Sequence, residues 1–223
     1  VQILCKGGTA LYFRWLKENL HFSFKRDNRK RSADSLQRRY RPILQMVERA
    51  IVISDTHGSL TRVKKVLTEV DENTLVIHCG DYLYHGPRNP LPEGYDPMAL
   101  ADFLGKLSNR IIGVRGNCDS EIDLSLVGQE DAPSARSLLI NDLELFVTHG
   151  HKNYRFPNDR GLVISGHTHI SRLSSNDGLI FLNPGSPSLP KDETGGSYGI
   201  IDFRKQTVSL KNLEGLELLV LPF

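Results

Sequence analysis

Five times in this chain an apolar run stops at a turn that carries side chains able to hold a metal ion. Asp55 and His57 follow the run 50–53, Asp81 follows 75–78, Asn117 follows 111–115, His149 follows 143–148, and His167 and His169 follow 162–165. One such turn decides nothing. Asp55 alone reads equally well as the cap of the next helix, and a lone His near a strand end is most often a satisfied structural residue. Five strand ends, mostly with a neighbouring glycine, are hard to explain that way. The set holds two carboxylates, one amide and four imidazoles. Oxygen and nitrogen donors of this kind suit Mn²⁺, Fe or Zn²⁺ and not a soft Cu(I) site. Seven ligands exceed one tetrahedral zinc, but they fit two ions that share a bridging carboxylate. Two ions ~3.5–4 Å apart can polarise a phosphoryl oxygen and supply a hydroxide for in-line attack.

The elements that must position these residues follow from periodicity. The uninterrupted run 50–53 reads as a strand buried on both faces. Leu60, Val63, Val66, Leu67 and Val70 recur at helical spacing after Ser59, a plausible cap. A second strand is expected at 75–78, a Pro- and Gly-rich loop to about 96, a helix over 98–107 and a third strand at 111–115. This β-α-β-α-β order implies parallel strands with crossover helices, whose carboxyl ends meet at one edge. The second half changes to short strands and turns. Asn141-Asp142 and Asn176-Asp177-Gly178 mark hairpins, residues 183–187 read as a rigid loop, and strands are expected at 197–203, 207–210 and 216–221. The fold class is α/β, or α+β by pattern: two packed sheets with helices on the outer faces, and 46–223 one domain.

Composition bounds the alternatives. No apolar run approaches the ~18 residues of a membrane span. Cys5, Cys79 and Cys118 stand far apart, so neither a disulfide framework nor a Cys-x-x-Cys zinc site is present, and a cytoplasmic location is the default. The net charge of +2 hides an asymmetry: residues 1–45 carry 11 Lys/Arg and 3 Asp/Glu, whereas 46–223 carry 17 and 23. The body is acidic, which disfavours nucleic acid as a partner. The first 45 residues read as a basic, solvated extension. The first Met is Met46, four residues before the first strand, so the natural start is expected there, with 1–45 a mis-assigned extension.

Asp55-Thr56-His57, Gly80-Asp81, Gly116-Asn117-Cys118-Asp119, His149-Gly150-His151 and Gly166-His167-Thr168-His169 occur in the order of the calcineurin-like metallophosphoesterases. More narrowly, the chain resembles the small bacterial YfcE-type phosphodiesterases, in Tyr84-His85-Gly86-Pro87-Arg88-Asn89 and Leu182-Asn183-Pro184-Gly185-Ser186 as well. The resemblance covers about 48–210. It implies a four-layer double β-sandwich flanked by helices. It also implies a first ion on Asp55, His57 and His169, a second on Asn117, His149 and His167, and Asp81 bridging them. The implied cofactor is a pair of divalent ions, Mn²⁺ first, with Fe, Zn, Ni or Mg as alternatives.

One position departs from the broad superfamily, which usually has His where this chain has Cys118. A thiol of pKa ≈ 8.5 is a different acid from an imidazole of ≈ 6.5. His151, His85 and Cys118 are the candidates for a general acid; alternatively none is needed, because the leaving group is good or the metal stabilises it. Arg88 could meet a substrate phosphate, Asn183 could orient a metal-ligand His, and Tyr82 and Tyr84 could wall the site or pack the loop. His78 reads as packing and Cys79 as a buried filler. The leading expectation is a metal-dependent phosphodiesterase acting on a small phosphoester, with self-association open. A phosphomonoesterase with the same site and a non-catalytic scaffold resembling the retromer subunit are the alternatives.

Overall fold

In the computed structural model, the described residues are 47–223 apart from Glu69 and Pro157. The expectations for residues 1–45 and for a start at Met46 lie outside the described residues. Eleven strands and three α-helices occur among them. In chain order they are β1 (Arg49–Ile53), α1 (Leu60–Leu67), β2 (Thr74–His78), α2 (Pro97–Lys106), β3 (Ile111–Gly113) and α3 (Glu121–Leu126), followed by eight strands. These are β4 (Ala135–Ile140), β5 (Leu143–Thr148), β6 (Gly161–Ile164), β7 (Ser171–Asn176), β8 (Leu179–Pro184), β9 (Ser197–Asp202), β10 (Thr207–Asn212) and β11 (Glu217–Pro222).

The strands form two sheets. The first has the order β11-β10-β9-β1-β2-β3 and the second β4-β5-β6-β8-β7. Strands β1, β2 and β3 run parallel. So do β5, β6 and β8 in the second sheet. The hairpins predicted at 141–142 and 176–178 join antiparallel β4–β5 and β7–β8. The hairpin pattern does not describe the whole second half, because β5, β6 and β8 form a parallel core between them. Residues 183–187 are also only partly a loop, since Asn183 and Pro184 end β8. Pairing with β6 stops at Leu182, and Pro184 is the last residue of the strand, opposite Ser171 of β7, so its missing N–H interrupts no bond to β6.

β1 is buried from Ala50 to Ile53 and β2 along its whole length. Ile51, Ile53, Val76 and Ile111 point to the helices and meet Val63, Val66, Leu67, Leu100, Leu104 and Leu124. The other face turns to the second sheet, where Ser197 of β9 donates to the Pro184 carbonyl of β8 at 2.7 Å. Burial of this kind stabilises by roughly 25 cal/mol per Å². The three described helices cover the outer face of the first sheet. α1 is capped by Ser59 as predicted. α2 is capped by Asp96 with Pro97 at its first position. α3 was not expected. It has six residues and a single buried apolar side chain, Leu124, too little for a periodic signal, and a Ser120/Asp123 capping box starts it. No described helix is long and apolar enough to cross a membrane.

Candidate metal centre

All five ligand-bearing turns follow strands of the two parallel cores: β1, β2 and β3 in one sheet, β5 and β6 in the other. Their carboxyl ends meet. Asp55, His57, Asp81, His167 and His169 all take left-handed backbone angles, with φ of 55°, 44°, 60°, 69° and 60°. Non-glycine residues rarely do so, at a cost of about 1–2 kcal/mol each. Such strain persists only where the surroundings over-determine it, and it clusters at functional sites.

Three sets of ligand atoms lie within 4.8 Å of one another: those of Asp55, His57 and His169; of Asp55, Asp81 and His149; and of His57, Asp81 and Cys118. Asp55 and Asp81 therefore each belong to two sets. The ring of His167 lies 5.1 Å from that of His149, centroid to centroid, and outside the three sets. The Asn117 Oδ1 is 2.9 Å from His149 Nε2. All seven residues expected from the strand ends are thus brought to one place, with Asn117 and His167 on its exposed side.

The ring orientations are informative. Nδ1 of His57 donates to the Tyr84 carbonyl at 2.6 Å, Nδ1 of His149 to the Cys79 carbonyl at 2.8 Å, and Nδ1 of His169 to the Leu189 carbonyl at 2.6 Å. Each ring is thereby turned with Nε2 inward, the arrangement metal-binding imidazoles adopt. The Nε2 atoms of His57 and His169 face each other at 3.3 Å. Asp55 Oδ1 lies 3.3 Å from His169 Nε2, 3.8 Å from His57 Nε2 and 4.0 Å from His149 Nε2, and that buried oxygen has no hydrogen-bond partner. The lone pairs of Asp55 Oδ1 and of the His57 and His169 Nε2 atoms converge with no proton between them and call for a cation. The donor set fits divalent ions on this geometry.

Electrostatics agree. Burial alone would raise the Asp55 and Asp81 carboxyls, but the imidazoles more than offset it and hold both below the usual range. His149 opposes its own burial and is raised to about 9 by Asp81 and Asp55. In the metal-free protein it is an imidazolium, its Nε2 3.3 Å from Asp81 Oδ2. A proton there occupies the place of a cation. Its folded pKa exceeds its unfolded value near 6.5, so its stabilisation is full below pH 6.5 and is lost as pH rises through about 9. Chelated protein should lose on the order of 2 kcal/mol of unfolding free energy between pH 6.5 and 9.5 by this route. Saturating divalent metal, which needs the unprotonated ring, should remove that slope. Equal denaturation midpoints for the chelated protein at the two pH values would contradict this.

The supporting contacts come from far along the chain. Ser54 Oγ and the His167 N–H both donate to Asp55 Oδ2, at 2.6 and 2.8 Å. Ser186 Oγ donates to the Asp55 carbonyl and Ser188 Oγ to the Thr56 carbonyl, each at 2.7 Å. Asn183 does not touch a His ring. It donates to the Gly166 carbonyl and Thr168 Oγ1, and so holds the turn from which His167 and His169 project. His78 accepts from the Gly80 N–H at Nδ1 and reaches Thr56 Oγ1 with Nε2. Its ring stacks on Tyr82, and burial lowers its pKa to about 3. It ties the turns together and coordinates nothing. These serines and this pairing were missed by sequence reasoning; hydroxyls set between Pro184, Pro187 and Pro190 were the available signal.

Asp119 has a clear place. Its carboxylate accepts the N–H groups of Asp81, Tyr82 and Gly116 at 2.9, 2.7 and 2.7 Å, clamping the turn after β2 to the turn after β3. Burial pushes it up to about 6, so it is ionised at neutral pH. Asp119→Asn sets an NH2 group against backbone N–H donors. It should cost about 2 kcal/mol of stability and weaken metal binding about 10- to 100-fold, measured by denaturant unfolding and metal titration. Stability and metal affinity both unchanged would refute the clamp.

The remaining candidates divide. His151 is at the centre, its ring 5.3 Å from that of His149 and 6.2 Å from that of His167, with a buried Nδ1 lacking a partner. His85 turns to Tyr95, its Nδ1 3.4 Å from the phenol oxygen. Cys118 lies beside His57 and Asp81. Burial, with Asp81 adding, pushes its thiol up to about 12. Arg88 is exposed on the loop after β2 and forms no hydrogen bond or ion pair among the described residues. Tyr82 is fully buried in the core and walls nothing, whereas Tyr84 is 42% exposed.

Comparison with known proteins agrees with this geometry. Residues 49–206 match the calcineurin-like phosphoesterase superfamily domain. Phosphodiesterase YfcE of Escherichia coli strain K12 is 40% identical over 156 residues, 67% of this chain and 84% of YfcE. The solved structure of YfcE, a phosphoesterase from E. coli, aligns with a TM-score of 0.72 at 33% identity, covering 78% of this chain and 98% of that one. Vacuolar Protein Sorting 29 from Cryptosporidium parvum shares the fold alone, with a TM-score of 0.53 at 18% identity over 78% of this chain and 95% of its own.

Proposed function

The chain belongs to the calcineurin-like phosphoesterase superfamily, and on that premise we propose that it is a phosphodiesterase working with two divalent cations. Asp55, His57 and His169 would hold the first ion, and Asn117, His149 and His167 the second. Asp81, near both His57 and His149, would serve both. Mn²⁺ is the proposed ion, because the donors are oxygen and nitrogen. When bound, the ions supply positive charge on a phosphoryl oxygen and activate water as the nucleophile at neutral pH.

The chain's own residues do the rest. The Nδ1–carbonyl bonds fix three rings so that no reorganisation is needed when the substrate's charge arrives. Asp55 and Asp81 set the negative charge that attracts the ions. His151 is the candidate donor beside the centre, its ring 5.3 Å from that of His149 and 6.2 Å from that of His167. Arg88, exposed and without a partner among the described residues, can swing to a substrate phosphate.

The observation that carries the reading is the convergence of inward-turned Nε2 atoms on the orphaned Asp55 Oδ1. A scaffold has no use for such an arrangement. Comparison of bis-p-nitrophenyl phosphate with p-nitrophenyl phosphate, with and without Mn²⁺, tests it. Metal-dependent hydrolysis that prefers the diester is expected. Preference for the monoester would make the protein a phosphomonoesterase, and no hydrolysis of either by metal-loaded protein would remove the enzyme reading.

A further inference from the structure

We propose that Cys118 is a positioning residue whose thiol sets the Asn117 amide with its carbonyl oxygen, and not its NH2, toward the second metal position. The inference rests on the two-ion reading above.

Asn117 is exposed at the rim of the centre. An exposed Asn side chain exchanges its oxygen and nitrogen by a turn about one soft torsion. Only one of those two states can serve a cation, because the oxygen accepts and the NH2 only donates. In the structure Oδ1 is the inward atom, 2.9 Å from His149 Nε2. The outward Nδ2 donates to Cys118 Sγ at 3.2 Å, the one acceptor it has among the described residues.

The sulfur is itself held. The Cys118 N–H donates to Asp81 Oδ1 at 2.8 Å, and Sγ lies within 4.8 Å of a carboxylate oxygen of the same residue. Accepting from Nδ2, the sulfur turns its lone pairs to Asn117. A flipped amide would set its oxygen against those lone pairs. Its NH2 would then face the second metal position, where a donor can serve no cation. The flip is opposed at the sulfur, and the residue that stands where the wider superfamily usually has His acts here through its neighbour.

Mn²⁺ titration of the metal-depleted full chain, followed by electron paramagnetic resonance, tests this on the wild type, Cys118→Ala and Cys118→Ser. Two adjacent Mn²⁺ ions couple magnetically and lose the isolated-ion signal. The wild type should show the coupled state at two equivalents. Cys118→Ala should take the first ion normally and the second about 10- to 100-fold more weakly, leaving an isolated-ion signal. Cys118→Ser restores both an acceptor and a donor, and should recover most of the coupled state. Three results overturn the inference: wild-type affinity for the second ion in Cys118→Ala, equal loss in the Ala and Ser variants, or loss of both ions together with a lowered Tm. A wild type that takes up fewer than two ions refutes the two-ion reading instead, and this inference falls with it.

Discussion

Asp81→Asn should reduce phosphodiester hydrolysis by about 10³-fold or more, several kcal/mol of charge stabilisation, while leaving the fold in place. Asp81 is the residue between the two halves of the centre. Its Oδ2 lies 3.3 Å from His149 Nε2 and 3.8 Å from His57 Nε2, and its Oδ1 accepts the Cys118 N–H. Asparagine has nearly the same shape, so the backbone bond from Asp81 N to Asp119 survives. What is lost is one negative charge among inward-facing imidazoles, and with it the ligand that, on the proposed two-ion reading, both ions would share. The check is kcat for bis-p-nitrophenyl phosphate at saturating Mn²⁺, with circular dichroism as the control for folding. Retention of more than a tenth of the activity would show that Asp81 is not shared by two ions.

Gly116→Ala should have the largest effect on the protein itself, about 3 kcal/mol of stability together with loss of metal binding. A Cβ at Gly116 would lie 2.0 Å from Asp81 Oδ1 and 2.5 Å from Asp81 N. Neither atom can yield, because Asp119 holds the nitrogen and the Cys118 N–H holds the oxygen. The same substitution at Gly105, inside α2, meets nothing closer than the Leu126 carbonyl at 3.5 Å. There it should be neutral or stabilising by up to about 1 kcal/mol, since Ala is the better helix former. Denaturant unfolding of the two variants side by side reads the contrast. Equal destabilisation would mean that the turn after β3 is looser than these contacts imply.

The strand ends were legible because each ligand stands directly after an apolar run, and run and ligand are neighbours in sequence. α1 was legible from its cap and periodicity, and α2 as a helical stretch without its Asp96 cap. α3 was not, since one buried leucine in six residues makes no period. The parallel core of the second sheet was hidden because turn dipeptides report only the hairpins, whereas the order β5-β6-β8 is set by packing. The seven side chains that meet at these turns could be named from the chain, but not their geometry. Left-handed angles at His57, His167 and His169 are only weakly signalled by residue type. The braces from Ser186 and Ser188 cross more than a hundred residues, so only the folded chain reveals them. Asp119 looked like part of a motif without a role until its three N–H donors were seen.

The most direct test of the two-ion centre is the recovery of bis-p-nitrophenyl phosphate hydrolysis as Mn²⁺ is added back to metal-depleted protein. Activity should be negligible without metal, rise with added ion and reach its plateau near two equivalents per chain. Full activity in the chelated protein, or a plateau at one equivalent, would contradict it.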